Sequence, residues 1–344
     1  MTQFSWPDVL TTVVGGHDLS SDQTRWAMGE ILSGDATPSQ IAGFAVAMRS
    51  KGETVAEVEG LVDAMFAKAA PLTIEARALD IVGTGGDRSF SVNISTMSSI
   101  VAAGAGALVV KHGNRSASSK AGSADVLEYL GVRLDLAPDQ VAAVAERAGV
   151  TFCFAPIFHS ALRHAGVPRS ELGIATFFNF LGPLANPARP RAQAIGCADL
   201  RMAGVLAGVF ASRGVDALVF RGDDGLDELT TTTTSQVWSV RDGVVEHSVL
   251  DPTRLALARA STEDLRGGDV AHNAGVVRDV LAGARGPIRD AVLLNAGAAL
   301  AVYSGEFSDV EAAVAQGMER AAEAIDSGEA AAALARWVAA GSEY

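Results

Sequence analysis

The sequence predicts an α/β protein: a small all-helical domain plus a large domain with a mostly parallel central sheet flanked by helices. Three observations carry this. Before Pro71 the apolar residues recur at helical spacing and no β-pattern occurs. After residue 75, short Val- and Ile-rich runs alternate with small-residue helical stretches, as in parallel strands joined by helices. Finally, 344 residues, 49% of them hydrophobic, suffice for one large core and a smaller one.

In chain order, Thr37-Pro38 reads as an N-cap with proline at the first helical position, and Ile41, Phe44, Ala45 and Met48 share the face that follows. Gly52-Glu53-Thr54 punctuates. Val58, Leu61, Val62, Met65 and Phe66 then line a second helix, placing the small domain over residues 1–74. Leu79–Val82, Ala107–Val110 and Ala217–Phe220 read as buried strands of the large domain. The segment GPLANPARPR, from Gly182 to Arg191, holds three prolines and reads as a crossing between the lobes. The threonine run Thr230–Thr234 reads as an edge or loop.

Composition excludes several function classes. With 27 Lys+Arg against 40 Asp+Glu the net charge is −13, which opposes a general nucleic-acid binder. The longest apolar runs, around Ile100–Val110 and Ala291–Tyr303, fall short of the ~20 residues of a membrane span. Cys153 and Cys197 form no CxxC pair and read as buried thiols of a cytoplasmic protein. Nor does the N-terminal stretch resemble a secretion signal.

Four stretches could carry chemistry. In LDIVGTGGDRSFSVNIST, Leu79 to Thr96, glycines 83, 85 and 86 expose backbone N–H groups after a strand, an arrangement suited to phosphate oxygens. Arg88 breaks a dinucleotide fingerprint, and no Gly-Lys pair exists for an NTPase loop. Asn93, Ser95 and Thr96 at a helix start could be caps or part of an anion cradle. In KHGNRSASSK, Lys111 to Lys120, three cations and a histidine stand in a window, Arg88 to Ala124, that contains no Asp or Glu. Carboxylates missing from such a stretch of an acidic chain point to an anionic ligand. In RGDDGLDELTTTTTS, Asp223 and Asp224 read as an acidic turn, while Asp227-Glu228 suits a hard divalent cation such as Mg²⁺. His159 and Arg169, in FAPIFHSALRHAGVPRSELG, carry no signal of their own.

Together, GTGGD at 83–87, NIST at 93–96, KHGNR at 111–115, GSAD at 122–125, FAPIFH at 154–159, FNFLGPLANP at 178–187 and DELTT at 227–231 resemble the anthranilate phosphoribosyltransferase family, in order and over nearly the whole chain. The resemblance implies a cytoplasmic homodimer formed through the helical domain, with helices from about 168–188 joining that domain and residues 75–167 and 189–344 forming the large one. It implies Mg²⁺-dependent transfer of a phosphoribosyl group from phosphoribosyl diphosphate (PRPP) to anthranilate in tryptophan biosynthesis, without nucleic acid or membrane. By the same resemblance Gly83, Gly86, Asp87, Ser91, Asn93, Ile94, Ser95, Thr96, Lys111, His112, Gly113, Asn114, Arg115, Ser116, Ala117, Ser118, Ser119 and Ser123 hold PRPP. Ser95, Asp227 and Glu228 hold Mg²⁺; Gly83, Asn114 and Arg169 contact anthranilate, and His112 and His159 line its approach.

The pattern departs from the family at Arg88, Ser91 and Ala175; the last, in place of a frequent Arg, leaves Arg169 as the main partner for a substrate carboxylate. Because an aromatic amine is neutral at pH 7, catalysis is expected from positioning and electrostatics, with no catalytic side chain singled out. No residue stands out as the final proton acceptor, leaving pyrophosphate or water. The rival readings are a pyrimidine nucleoside phosphorylase-like enzyme and a non-catalytic nucleic-acid-binding relative.

Overall fold

The computed structural model describes residues 4–115 and 120–344. Four helices open the chain: α1 (Trp6–Val14), α2 (Ser21–Ser33), α3 (Pro38–Lys51) and α4 (Val55–Lys68). Three start in reciprocal capping boxes, Ser20 with Gln23, Thr37 with Gln40 and Thr54 with Glu57. Each satisfies two backbone donors that water would otherwise have to meet, worth about 1 kcal/mol apiece. The expected faces are buried as read: Ile41, Phe44, Ala45 and Met48 on α3, and Val58, Leu61, Val62 and Met65 on α4. Phe44 is fully buried, its ring edge-on to Trp6 and Phe177, and Trp26 lies partly covered against Trp6, so neither aromatic is left free for an interface. An aromatic on a helix face carries no mark of which partner covers it.

The large domain runs β1 (Leu79–Gly83), α5 (Ile94–Gly104), β2 (Val109–Gly113), α6 (Ser123–Tyr129), α7 (Pro138–Ala148), β3 (Val150–Phe154) and α8 (Ala155–Phe158). After a 3-10 turn (Ser160–Ala165) follow α9 (Gly166–Leu172), a second 3-10 turn (Phe177–Asn179) and α10 (Leu181–Leu184). Then come β4 (Ala192–Gly196), α11 (Leu200–Ser212), β5 (Asp216–Gly222), β6 (Ser235–Arg241), β7 (Val244–Leu250), and α12 to α15 (Val270–Leu281, Pro287–Ser304, Val310–Asp326, Glu329–Gly341). The strands form one sheet in the order β3-β2-β1-β4-β5-β6-β7. The first five are parallel, and β6 and β7 add an antiparallel hairpin. Its turn is Asp242-Gly243, both with positive φ (52° and 74°), the dipeptide that a two-residue hairpin favours.

Two apolar layers cover the sheet. One face packs on α5, α13 and the C-terminal helices; the other, through Ile195, Val219 and α11, packs on the helical bundle and the Phe177–Ala185 segment. From β1 the chain moves to β2 and β3 on one side, and returns to β4 on the other. The crevice between the carboxyl ends of β1 and β4 is therefore the topological switch point, where open α/β sheets receive their ligands. Among the described residues no helix is long and apolar enough to cross a membrane.

Candidate active site

At the switch point the backbone comes first. Gly83 ends β1, Gly196 ends β4, and the acidic segment after β5 lies against both. A Cβ on Gly83 would stand 2.2 Å from Asp227 Oδ2, and one on Gly196 only 1.6 Å from the Asp227 carbonyl oxygen. Only glycine fits at either place. The Gly85 N–H donates to Asp227 Oδ2 (2.6 Å), and the Ser95 N–H, in the first turn of α5, donates to Glu228 Oε1 (3.1 Å). The Asp227-Glu228 pair thus bridges the glycine turn and the following helix. In that turn Gly85, Gly86, Arg88 and Phe90 all have positive φ, an unfavourable geometry for the two bulky residues. The third carboxylate, Asp87, takes Ser89 Oγ–H (2.6 Å) and faces Asp227.

These acids repel one another where water is scarce. Burial and the neighbouring Asp87 charge push the Asp227 carboxyl well above its ordinary value; burial and the Asp227 charge do the same to Glu228. Among the described residues no three His, Cys, Asp or Glu side chains form a cage that could hold a metal unaided. Mg²⁺ does not require one, since it binds through one or two carboxylates completed by water and ligand phosphates. A hard cation there would relieve the repulsion, so the donor set fits it.

Behind the acids sits Lys111, 1% exposed, its Nζ donating to the Ile81 carbonyl. Burial lowers its pKa, and the charges of Asp80, Glu228 and Asp227 oppose that shift. Asp80, wholly buried, accepts the His112 backbone N–H (3.1 Å) and Asn186 Nδ2–H (2.8 Å). Burial raises its pKa to about 6. Beside this network the rings of His112 and His159 lie 5.2 Å apart. His112 Nδ1 meets the Gly182 carbonyl (2.9 Å), and His159 Nε2 meets that of Ala185 (2.8 Å). Burial takes His112 down to about 3 and lowers His159 as well, so both rings are neutral at pH 7.

Known proteins place this arrangement. The glycosyl transferase family's helical bundle domain matches residues 7–69 and its a/b domain residues 75–331. The anthranilate phosphoribosyltransferase of a Nocardioides species is 67% identical over 98% of each chain, and that of Thermobifida fusca 58% over 98% of this chain and 97% of its own. This chain belongs to the anthranilate phosphoribosyltransferase family. Crystal structures agree: the Thermus thermophilus enzyme superposes with a TM-score of 0.91 at 38% identity, covering 97% of this chain and 99% of its own. The Saccharomyces cerevisiae enzyme, solved with PRPP and Mg, superposes at 0.89 with 25% identity over 98% of each.

For a member of the anthranilate phosphoribosyltransferase family, the remaining candidates divide unevenly. Arg169, on α9, lies 5.1 Å from the Phe178 ring centroid, and among the described residues no carboxylate is within ion-pair range of it. Arg115 is different: it is paired with Asp125 (2.7 Å) and Glu128 (2.8 Å), so the acid-free window ends on the residues that neutralise its cation. The Asn93 side chain, rather than capping α5, donates to the Ala121 carbonyl (3.1 Å) and accepts from Asn273 Nδ2 (2.8 Å). Asn114 Oδ1 accepts the Arg115 N–H, Gly113 abuts Phe152, Ser91 pairs with Arg266, and Ser123 opens α6. Ile94 and Thr96 are buried, and Gly86 has open space over it. Ser116, Ala117, Ser118 and Ser119 lie outside the described residues.

Sequence reasoning passed over Asp80, Asn186 and Asn273. Asp80 was visible as a lone acid inside an apolar strand, an expensive placement unless it is bonded. Asp223 and Asp224, read as a plain turn, accept hydroxyl donors from Thr230, Thr232 and Thr234. Alternate residues of the threonine run therefore serve the acids.

Proposed function

We propose that the switch-point cleft is where this chain moves the 5-phosphoribosyl group of PRPP onto the amine of anthranilate, releasing pyrophosphate, as a step of L-tryptophan biosynthesis. The observation that carries the assignment is the Asp227-Glu228 pair, held by the Gly85 and Ser95 amides over the ends of β1 and β4. The Saccharomyces cerevisiae relative, whose structure contains PRPP and Mg, supports it. We assign Asp227, Glu228 and Ser95 to Mg²⁺, and the turn from Gly83 to Asp87, Ser91, the start of α5, and Lys111 to Ser119 with Ser123 to PRPP. When bound, Mg²⁺ would neutralise the charge of the departing pyrophosphate.

Gly83, Asn114 and Arg169 receive anthranilate. The unpaired guanidinium over Phe178 suits its carboxylate, best through two parallel hydrogen bonds. With the Gly85 N–H given to Asp227, the other N–H groups of the glycine turn would meet charge that grows as the glycosidic bond lengthens, and because they are backbone they need no reorganisation. The helical domain, with Val14 and Val46 exposed, serves as the homodimer surface, and the working compartment is the cytoplasm. The assay is anthranilate fluorescence. Its loss should require PRPP and Mg²⁺ together; loss with neither, or phosphorolysis of a nucleoside by inorganic phosphate, would reject the assignment.

A further inference from the structure

We propose that His112 Nε2 is the proton acceptor for the attacking amine, and that the backbone carbonyls of Gly182 and Ala185 hold His112 and His159 in the tautomers this requires. The inference rests on the function proposed above and goes beyond it by naming where the amine proton goes.

It starts from an orphan. His112 is 3% exposed, and among the described residues its Nε2 has no hydrogen-bond partner. Such an atom costs free energy unless a ligand or water meets it. Its chemical state is fixed from the other side of the ring: Nδ1 lies 2.9 Å from the Gly182 carbonyl oxygen, which can only accept, so Nδ1 carries the hydrogen. Nε2 is then a bare lone pair. The same logic applies to His159, whose Nε2 faces the Ala185 carbonyl at 2.8 Å and whose Nδ1 is left as the acceptor. The ring centroids are 5.2 Å apart, so the two acceptor rings are neighbours. The backbone of His112 is itself tied to buried Asp80, whose second oxygen binds Asn186 on the segment that supplies the carbonyls. Ring, tautomer and backbone are held by one network.

Burial and the neighbouring charged or titratable groups, His159 and Lys111, keep His112 neutral far below pH 7, although the Gly182 carbonyl pulls the other way. An acceptor so weakly basic is adequate here. Attack by the amine lone pair forms the N–C1′ bond while the C1′–O bond breaks and its electron pair leaves with pyrophosphate. The nitrogen becomes an arylammonium, a much stronger acid than an alkylammonium, and its N–H bond pair returns to nitrogen as the proton passes to His112 Nε2. Before reaction the same lone pair, accepting an amine hydrogen, turns the amine's own lone pair toward C1′.

Two measurements test this. In the unmodified, ligand-free protein, ¹⁵N NMR of labelled histidines should show one ring protonated only at Nδ1 and another only at Nε2, neither titrating between pH 5 and 8; a His112 imidazolium or the reverse tautomer overturns the proposal. Kinetically, His112→Asn keeps a donor for Gly182 but removes the far acceptor, and should lower kcat, read at saturating PRPP and anthranilate, roughly 10²-fold or more. His112→Gln returns an acceptor that is not a base and should restore the KM for anthranilate but not kcat. Wild-type kcat in either variant overturns it. An unmodified protein without PRPP-dependent loss of anthranilate would instead reject the function itself.

Discussion

Arg169 carries a charge that no carboxylate answers within the described chain, although burial already disfavours its charged form. A charged hydrogen bond to a substrate carboxylate is worth about 1.5–3 kcal/mol. Arg169→Gln should therefore raise the KM for anthranilate about 10- to 150-fold and leave that for PRPP nearly unchanged, as initial rates with each substrate varied would report. Asp80 invites a different test. Its folded pKa, about 6, stands above the ordinary 3.8, so ionising it in the fold costs stability. That contribution is fully present below about pH 4 and is lost as pH rises through 6, a change of about 3 kcal/mol at ~1.4 kcal/mol per unit. Urea midpoints across this window should fall less steeply with pH for Asp80→Asn than for the unmodified chain; parallel curves would place the titration elsewhere. Arg169 became visible only through the motifs around it, and Asp80, although a lone acid in a Val/Ile run, could not be given a role because the run does not reveal which donors reach it.

Elements were more legible than residues, because strand and helix periods are written locally. The runs at Leu79, Ala107 and Ala217 became β1, β2 and β5 with small shifts at their ends. The hairpin of β6 and β7 was missed although Asp242-Gly243 marks its turn, since the threonine run beside it drew the reading toward loop. Strand order, and with it the switch point, depends on pairings between segments far apart in sequence and has no local signal. The glycine turn shows the same division. Its glycines were legible, but not that they differ. Gly83 and Gly196 are needed because Asp227 lies against them, whereas Gly86 has open space and needs only its φ of 85°. Gly86→Ala should thus cost about 1–2 kcal/mol of backbone strain, and Gly83→Ala should displace Asp227 and remove nearly all turnover. Thermal melts alongside kcat would separate the two, and an active Gly83→Ala would show that Asp227 tolerates the shift.

At the scale of the whole molecule, the helical bundle is tied to α11 on the sheet by a charged cluster that no local pattern announced. Glu53, buried in the turn between α3 and α4, binds Arg201 of α11, and Arg49 binds Asp199, which caps α11 (2.5 Å). Asp199 follows directly on Ala198, whose N–H donates to Thr84 Oγ1 in the glycine turn (3.1 Å), so the cluster reaches the site through two residues of backbone. Such a network is weak evidence for net stability, but removing one partner leaves a buried charge uncompensated, at about 3–5 kcal/mol. The Glu53 carboxylate is the group left stranded in that exchange, because its side chain has no solvent access while that of Arg201 is 44% exposed. Partial screening of Arg201, and the second cation Arg49 at 4.0 Å, put the expected loss for Arg201→Met at the low end, about 3 kcal/mol. Arg25→Met, which removes ion pairs to Asp22 and Asp63 on the open surface of the helical bundle, should cost less than about 1 kcal/mol. Equal denaturant midpoints for the two variants would mean that the cluster merely touches the interface, and a midpoint well below the unmodified protein's for Arg201→Met alone would mean that it holds the helical layer against the sheet.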